Sequence, residues 1–188
     1  MKNNKGVTLI MLVITIILMI LIASFAVYYS NNIGPEARLA AQYSSLKEIK
    51  AACDNAIIQI ELNPIAYDEF YFFGHNIEYL DKNGELRLDG ERVDTFEVMK
   101  RCNTSKFSPR TYVIVNDGTP ENQTRLSHLE LSNVTYNYVV DLDYQKYYLV
   151  DGVKDSTNQF VYELSDIEKA YSNLLYGRDI SPDYYTDI

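Results

Sequence analysis

The chain has 188 residues, which is enough for one ordinary domain and an appended segment. Its side chains carry a net charge of −9, from 17 basic and 26 acidic residues. Nucleic-acid-binding domains show the opposite balance, with clustered basic residues, so this charge argues against DNA or RNA as the main partner of the folded domain. The same charge opposes broad adsorption to anionic lipid surfaces.

The first predicted element is a long uncharged helix. The segment from Val7 to Tyr29 contains no charged side chain, and its 23 residues form a helix of roughly 35 Å. That length is enough to cross a hydrocarbon core of about 30 Å. Lys2 and Lys5 precede the segment. Because basic flanks stay in the cytoplasm, we expect the N-terminus inside and the remaining chain outside the membrane.

Two simpler interpretations of this segment stay open. The small residues in Ala23-Ser24-Phe25-Ala26 suit a signal peptidase, although a conventional secretory signal has a shorter apolar core. A plain single-pass anchor would need no cleavage at all. The interpretations differ in where the mature chain begins.

The residues Lys5-Gly6-Val7-Thr8-Leu9-Ile10, followed by the unbroken apolar run, resemble the start of type IV prepilins and type II secretion pseudopilins. In that family a short basic leader ends in glycine, a membrane prepilin peptidase cuts after it, and the new amine is methylated. The resemblance implies cleavage between Gly6 and Val7 and N-methylation of Val7. Lys2 and Lys5 would be the basic residues of the leader.

One position departs from the family. The fifth mature residue is usually Glu, which is thought to pair with a neighbouring subunit's N-terminal amine during assembly, and here it is Met11. Thr8, Leu9, Ile10 and Met11 would begin the assembly helix, but Met11 cannot form that ion pair. The departure favours a minor or initiating subunit, which has no neighbour ahead of it. A Gram-positive, clostridial-like branch in which the acid is often missing is the other interpretation.

Residues 31–63 predict an amphipathic continuation of the helix. Pro35, in Asn31-Asn32-Ile33-Gly34-Pro35, predicts a kink or short break. Beyond it, apolar residues at helical spacing predict one buried stripe, which packs on the chain's own sheet or, as an alternative, in a coiled coil. Asn63-Pro64 predicts the end of the helix. The stripe comprises Leu39, Tyr43, Leu46, Ile49, Cys53, Ala56, Ile57 and Ile60.

We expect residues 64–188 to form an extracellular globular domain rich in antiparallel β-strands. Its first part contains an aromatic connecting loop (67–73), a hairpin (76–88) that turns at Asp81-Lys82-Asn83-Gly84, and a short helix (93–100). A strand at 111–115 follows. The clearest strand pair, 134–142 and 146–150, is joined around 143–145, and Asp151-Gly152 is expected to end it.

The last predicted elements are a helix and a tail. Ser165-Asp166-Ile167-Glu168 matches a capping box that opens a helix to Tyr176, with Gly177 as its stop. Residues 178–188 are expected to be an acidic surface tail.

The predicted fold class is α+β and pilin-like. A long N-terminal α-helix, with a membrane half and an amphipathic half, would pack on a small antiparallel β-sheet domain. The predicted divisions are a leader (1–6), a transmembrane or filament-core helix (7–30), an amphipathic helix (31–63) and the globular domain (64–188).

The sequence contains little that predicts chemistry. Cys53 and Cys102 form a possible disulfide if the domain is extracellular, and two unpaired thiols are the alternative. His75 and His128 are in no metal-binding spacing, and no catalytic motif is present, so we expect no enzyme activity, no cofactor and no metal site. Asp141, Asp143 and Asp151 suit calcium by composition, but without EF-hand spacing.

The resemblance implies a structural subunit of an extracellular type IV pilus-like filament. Expected partners are the prepilin peptidase, other pilin subunits, the inner-membrane assembly machinery and, before assembly, membrane lipid. The protein would lie in the cytoplasmic membrane and then on the cell surface. The alternative is an anchored, unassembled binding module, for which the 17 tyrosines would provide a recognition surface.

Overall fold

The computed structural model describes the backbone of residues 5–132 and 134–176, and the side chains of these ranges except at 5–16, 18, 21–33 and 35. The chain divides into two compact units, residues 1–37 and 38–188. The elements in chain order are α1 (Lys5–Leu62), α2 (Glu69–Phe73), α3 (Ile77–Asn83), β1 (Arg87–Leu88), β2 (Glu91–Arg92), α4 (Thr95–Arg101), β3 (Thr111–Ile114), α5 (Pro120–His128), β4 (Tyr138–Asp141), β5 (Lys146–Lys154), β6 (Phe160–Glu163) and α6 (Leu164–Tyr176).

The first unit consists of the beginning of α1. The helix is continuous through positions 31–35, so a short break there is wrong, while the alternative of a kink stays a prediction. Pro35 removes only one backbone donor, and the hydrogen bonds on either side keep the helix together. Where the structure describes side chains as well as backbone, no helix is long and apolar enough to cross a membrane. The predicted span (7–30) falls largely outside that part.

The second unit begins within α1, and here the predicted apolar stripe is confirmed. Leu39, Leu46, Ile49, Cys53 and Ala56 are each at most 1% exposed. Tyr43, Ile57 and Ile60 are partly buried at the edges of the stripe. Leu62, the last helical residue, is 80% exposed, and the helix ends before Asn63-Pro64 as predicted.

The stripe packs on a four-stranded antiparallel sheet with the order β3-β4-β5-β6. Val140 of β4 lies opposite Tyr112 of β3 and Tyr147 of β5. The strand at 111–115 and the strand pair are thus confirmed, although β4 begins at Tyr138 and not at Val134. Helices on a small antiparallel sheet make the protein α+β.

The sheet is covered on both faces. Side chains alternate along each strand, so Tyr138 and Val140 enter the cluster with α1, whereas Val139 enters the cluster on the other face. Helices α2, α5 and α6 also contribute to the first cluster. Helices α3 and α4 and strand β1 cover the second face. Double coverage explains why all four residues of β4 are buried.

Three tyrosine hydroxyls add polar bonds at the seam between α1 and its surroundings. Ser45 and Tyr138 share a hydrogen bond of 2.6 Å, and Tyr147 donates to Asp54 over 3.0 Å. Tyr43 donates to Glu168 of α6 over 2.8 Å. Each ring buries apolar surface while its hydroxyl keeps a partner, which suits tyrosine to the edge of a helix–sheet contact.

The predicted hairpin at 76–88 is wrong, because its proposed turn closes a helix. The Asn76 side chain accepts from the backbone N–H of Tyr79 at 2.9 Å and caps α3. Gly84 is left-handed (φ 71°) and ends that helix. The true two-strand turn follows at Asp89-Gly90, where φ is positive at both positions (52° and 82°).

Other element boundaries differ from prediction. The aromatic loop at 67–73 contains the short helix α2, capped by Asp68, and the predicted short helix at 93–100 is confirmed as α4. Helix α6 follows β6 directly from Leu164, so Ser165 is not its N-cap. Gly177 and the predicted tail at 178–188 lie outside the described residues. Helix α5 and strand β6 were not predicted.

Strand β5 does not end at Asp151-Gly152 as predicted. Both residues have positive φ (67° and 64°), and the pairing with β6 shifts register between Tyr148 and Val153. The strand bends there and continues to Lys154. Such an irregularity re-aims side chains at the edge of a sheet, here those of Asp151 and its neighbours.

Leu46→Ala should destabilise the second unit strongly. Leu46 is fully buried on the stripe, so removing its side chain leaves a cavity and should cost about 2–5 kcal/mol in the free energy of unfolding. Leu62→Ala, at an 80% exposed position of the same helix, should change it by less than about 0.5 kcal/mol. Urea unfolding of the full chain in detergent, followed by near-ultraviolet circular dichroism, measures both. Equal costs would contradict the packing described.

Gly152→Ala should destabilise more than Gly90→Ala. Both glycines are left-handed, where a Cβ costs roughly 1–2 kcal/mol. Only at Gly152 would the new Cβ also meet fixed atoms, at 2.8 Å from the Val161 carbonyl oxygen and from the Tyr162 ring. At Gly90 nothing lies within 4 Å. Thermal unfolding of the two variants side by side should show the larger loss at Gly152, and the reverse order would exclude this close approach.

Candidate functional site

The residues of the predicted processing and assembly site lie at the start of the chain. Lys2 lies outside the described residues. Lys5, Gly6 and Val7 form the first helical turn of α1, and the next four positions continue the helix. For these residues the structure describes the backbone alone. Cleavage, methylation and assembly at Gly6, Val7, Thr8, Leu9, Ile10 and Met11 therefore stay predictions.

The second unit carries an aromatic groove, defined by Ile65, Tyr67, Phe70, Tyr71 and His128, of about 530 Å³. Ile65 is 97% exposed and Phe70 is 52% exposed. The segment after α1 forms one wall of the groove, α2 the next, and α5 the opposite one.

The groove is ordered by ring stacking. The Tyr71 and His128 rings are nearly parallel, at 4° with their centroids 3.8 Å apart. His128 Nδ1 lies 2.9 Å from the Tyr71 carbonyl oxygen and donates to it, which fixes the orientation of the ring. Tyr67 contacts Tyr71 with the ring centroids 5.1 Å apart. Rings held in this way lose little entropy when they contact a partner.

Two of the charged residues that line the groove, Arg125 and Glu121, are paired within α5. Arg125 forms an ion pair with Glu121 and donates to Asn122 over 3.1 Å. Gly74, which ends α2, has a positive φ of 74°, and the Arg125 guanidinium packs over it. In the described part of the groove we find one imidazole and no nucleophile aligned with it. The arrangement suits binding of an apolar or planar group.

A polar network joins α2 to the sheet beside the groove. Arg110 donates to Glu69 over 2.8 Å and to Asp143 over 3.2 Å, and Tyr112 donates to Glu69. Burial, followed by the hydrogen bond to Glu69, raises the pKa of Tyr112 above its ordinary value. The tyrosine therefore stays protonated and donates at any physiological pH, which is a structural role.

The three aspartates that suit calcium by composition do not form one site. Asp141 is fully buried and accepts from the Ser108 hydroxyl at 2.6 Å and from the Ser108 backbone N–H at 2.9 Å. Asp143 pairs with Arg110, and Asp151 pairs with Arg101. Among the described residues no group of His, Cys, Asp or Glu is placed to hold a metal ion.

The two cysteines are free thiols, so the possible disulfide is not formed. Cys53 belongs to the cluster between α1 and the sheet, and Cys102 to the cluster on the opposite face. The sheet itself separates them. Burial raises the pKa of Cys102 to about 12 and raises that of Cys53 further still, so both thiols are protonated.

Sequence analysis missed a second polar site, centred on Arg101. This side chain donates to Asp151 over 2.7 Å and to Asp89 over 2.8 Å, and so joins the β1–β2 turn to the bend in β5. Asn137 also donates to Asp89, over 2.7 Å. The sequence contains Asp-Gly at 89–90, 117–118 and 151–152, but no sequence pattern indicates that the first and the last of these pairs lie side by side.

Comparison with known protein families, curated proteins and solved structures finds no match to this chain. The described features that bear on function are the stripe of α1 that packs on the sheet, the aromatic groove and the Arg101 site.

Both thiols should resist alkylation in the native state. They are buried and protonated, so iodoacetamide at mildly alkaline pH should leave the mass of the folded chain unchanged. After unfolding in denaturant without reductant, two adducts should form. Intact mass spectrometry measures both steps. A chain that gains adducts only after reduction would instead contain the disulfide.

Proposed function

We propose that the protein is a structural subunit, of the minor or initiating kind, of an extracellular type IV pilus-like filament. The observation that carries the proposal is that Lys5-Gly6-Val7 directly precedes an uncharged segment, and that both belong to the long helix α1. The same helix then supplies the buried stripe of the second unit. One continuous helix thus links a membrane-length apolar segment to a globular domain, as the resemblance to prepilins implies.

The proposed life of the subunit has two stages. Before assembly, residues 7–30 lie in the cytoplasmic membrane with the globular domain outside. A prepilin peptidase cuts between Gly6 and Val7, and the Val7 amine is methylated. The inner-membrane assembly machinery then transfers the helix from lipid to a bundle of pilin helices, where hydrophobic burial holds the filament together. No catalytic chemistry by this chain is part of the proposal.

Met11 supports the assignment as a minor or initiating subunit. A major subunit of the family uses a carboxylate at this position toward the amine of its neighbour. A thioether cannot form an ion pair, so this chain could not follow another subunit by that contact. As the first subunit it would offer its own helix and domain to those that follow. The clostridial-like branch in which the acid is often absent is the alternative explanation.

The acidic domain fits the outer surface of such a filament. The apolar residues concentrate in 7–30, while the 26 acidic side chains all lie from Glu36 onward. A filament made from such chains would have an apolar centre and a negatively charged exterior. Negative charge also keeps neighbouring filaments apart at low salt.

A second candidate is an anchored binding module that stays unassembled. The aromatic groove favours it, because Ile65 and Phe70 expose apolar surface beside stacked rings. Exposed apolar patches of this kind mark interaction sites. The two candidates differ at the N-terminus, since an anchored module keeps residues 1–6 and a filament subunit loses them.

Gly6→Ala should block maturation. A prepilin peptidase cuts after glycine, so the wild-type chain expressed with such a peptidase should begin at a methylated Val7. The variant should keep residues 1–6. Asn4→Ala, a leader substitution that spares the glycine, is the matched control and should mature normally. Mass spectrometry of the N-terminal peptide measures all three.

The start of the wild-type chain distinguishes the alternatives. A chain that keeps Gly6 in the presence of active peptidase would contradict the pilin proposal and favour the anchored module. A chain that begins just after Ala26 would instead show a secretory signal.

A further inference from the structure

A polar cavity of about 600 Å³ opens beside the Arg101 site. The turn at Asp89, the bend of β5 at Asp151 and the segment before β4 form its walls, and Gln42 of α1 also lines it. Tyr136 and Arg87 also line the cavity. None of these residues belongs to the aromatic groove.

Gln42 is the unusual residue of this cavity. It lies on the buried side of α1, is 9% exposed, and its Oε1 has no hydrogen-bond partner among the described residues. In that part of the chain it is the only buried side-chain nitrogen or oxygen left unpaired. An unsatisfied buried polar atom costs roughly 1–3 kcal/mol, so a helix that only needed packing would carry an apolar residue here. The cost would be offset if the amide turned toward the cavity and a ligand there supplied the missing partner.

The other polar groups of the cavity are already held in place. Asp89 accepts from Arg101 and Asn137, and these two hydrogen bonds, that of Arg101 first, lower its pKa below the ordinary value. Asp151 is held by the same guanidinium. Both carboxylates thus lie in fixed positions, and their oxygens can accept further hydrogen bonds. Preorganised groups of this kind bind without a large entropy cost.

The cavity contains both hydrogen-bond donors and hydrogen-bond acceptors, which favours a ligand that can both donate and accept. Arg87 and Asn137 are donors, Asp89 and Asp151 are acceptors, and the amide of Gln42 can present either kind by rotation. A metal ion would use the acceptors alone, and an anion would meet three carboxylates, since Asp117 lines the cavity with Asp89 and Asp151. A hydroxyl group is donor and acceptor at once, so several hydroxyls on one ring match the whole set.

Tyr136 supplies an apolar surface for the same ligand. Its ring is partly buried and is held edge-on to Tyr138, at 87° with centroids 6.5 Å apart. One face of a sugar ring carries C–H groups, which pack on aromatic rings, while the hydroxyls point sideways. We propose that the polar cavity is a carbohydrate-binding site in which Gln42, Asp89 and Asp151 bind hydroxyls and Tyr136 packs on the ring.

The test is direct binding to the full chain in a detergent without a sugar headgroup, because alkyl glycosides would compete. Isothermal titration against glucose, galactose, mannose, N-acetylglucosamine and their short oligomers should give saturable binding for at least one of them. Gln42→Leu should weaken that binding roughly tenfold, the worth of one hydrogen bond to a buried group. Gln59→Leu, on the same helix outside the cavity, should leave it unchanged.

A stability measurement separates binding from folding. Because Gln42→Leu removes an unpaired polar atom, the variant should be at least as stable to urea as the wild type without sugar. The sugar that binds should raise the unfolding midpoint of the wild type and of Gln59→Leu more than that of Gln42→Leu.

Saturable binding to none of these sugars overturns the proposal, and so does equal binding by the wild type and Gln42→Leu. The outcome does not depend on filament assembly. A chain that keeps residues 1–6 could still bind sugar, and a processed pilin could fail to do so.

Discussion

The packing of the apolar stripe of α1 against the four-stranded sheet is the contact on which the second unit depends. The stripe is buried almost completely only because the sheet offers the face formed by Tyr138, Val140, Tyr147 and Leu149. The sheet in turn would expose that face without the helix. Hydrophobic burial therefore couples the two, and the tyrosine hydroxyls at the seam keep their own polar partners.

The same contact connects the two halves of the proposed function. A filament subunit must join a core helix to an exposed domain firmly enough that the domain follows the helix during assembly. Here one helix carries both the uncharged segment and the buried stripe. Cavities on the domain would then be displayed along the filament, and a carbohydrate site near Gln42 would place a recognition surface on the outside of the cell.

Local sequence signals predicted the elements well where one signal had one meaning. The period of the stripe, the β-branched and aromatic strands, and Asn63-Pro64 as a helix end are of this kind. The hairpin at 76–88 failed because a left-handed glycine after Asn83 suits both a tight turn and a helix end. The Asn76 side chain caps a helix and so identifies Gly84 as a helix end. An asparagine indicates a helix start only when the residues after it are helical. The prediction that Asp151-Gly152 ends β5 was wrong for a similar reason. An Asp-Gly pair can end a strand or bend it, and here β5 continues past the bend because its residues pair with β6 on both sides.

The sequence by itself determined the α+β class, the extent of the amphipathic stripe and the membrane-length uncharged segment, because each depends on periodicity or on adjacent residues. Only the tertiary structure decided that the cysteines lie on opposite faces of the sheet, that Arg101 joins two distant Asp-Gly turns, and that Gln42 lines a polar cavity. Those sites are assembled from segments far apart in the chain. Their chemistry depends on which side chains the packed sheet brings within a few ångströms of one another. A local sequence pattern cannot indicate the distance between side chains that are far apart in the chain.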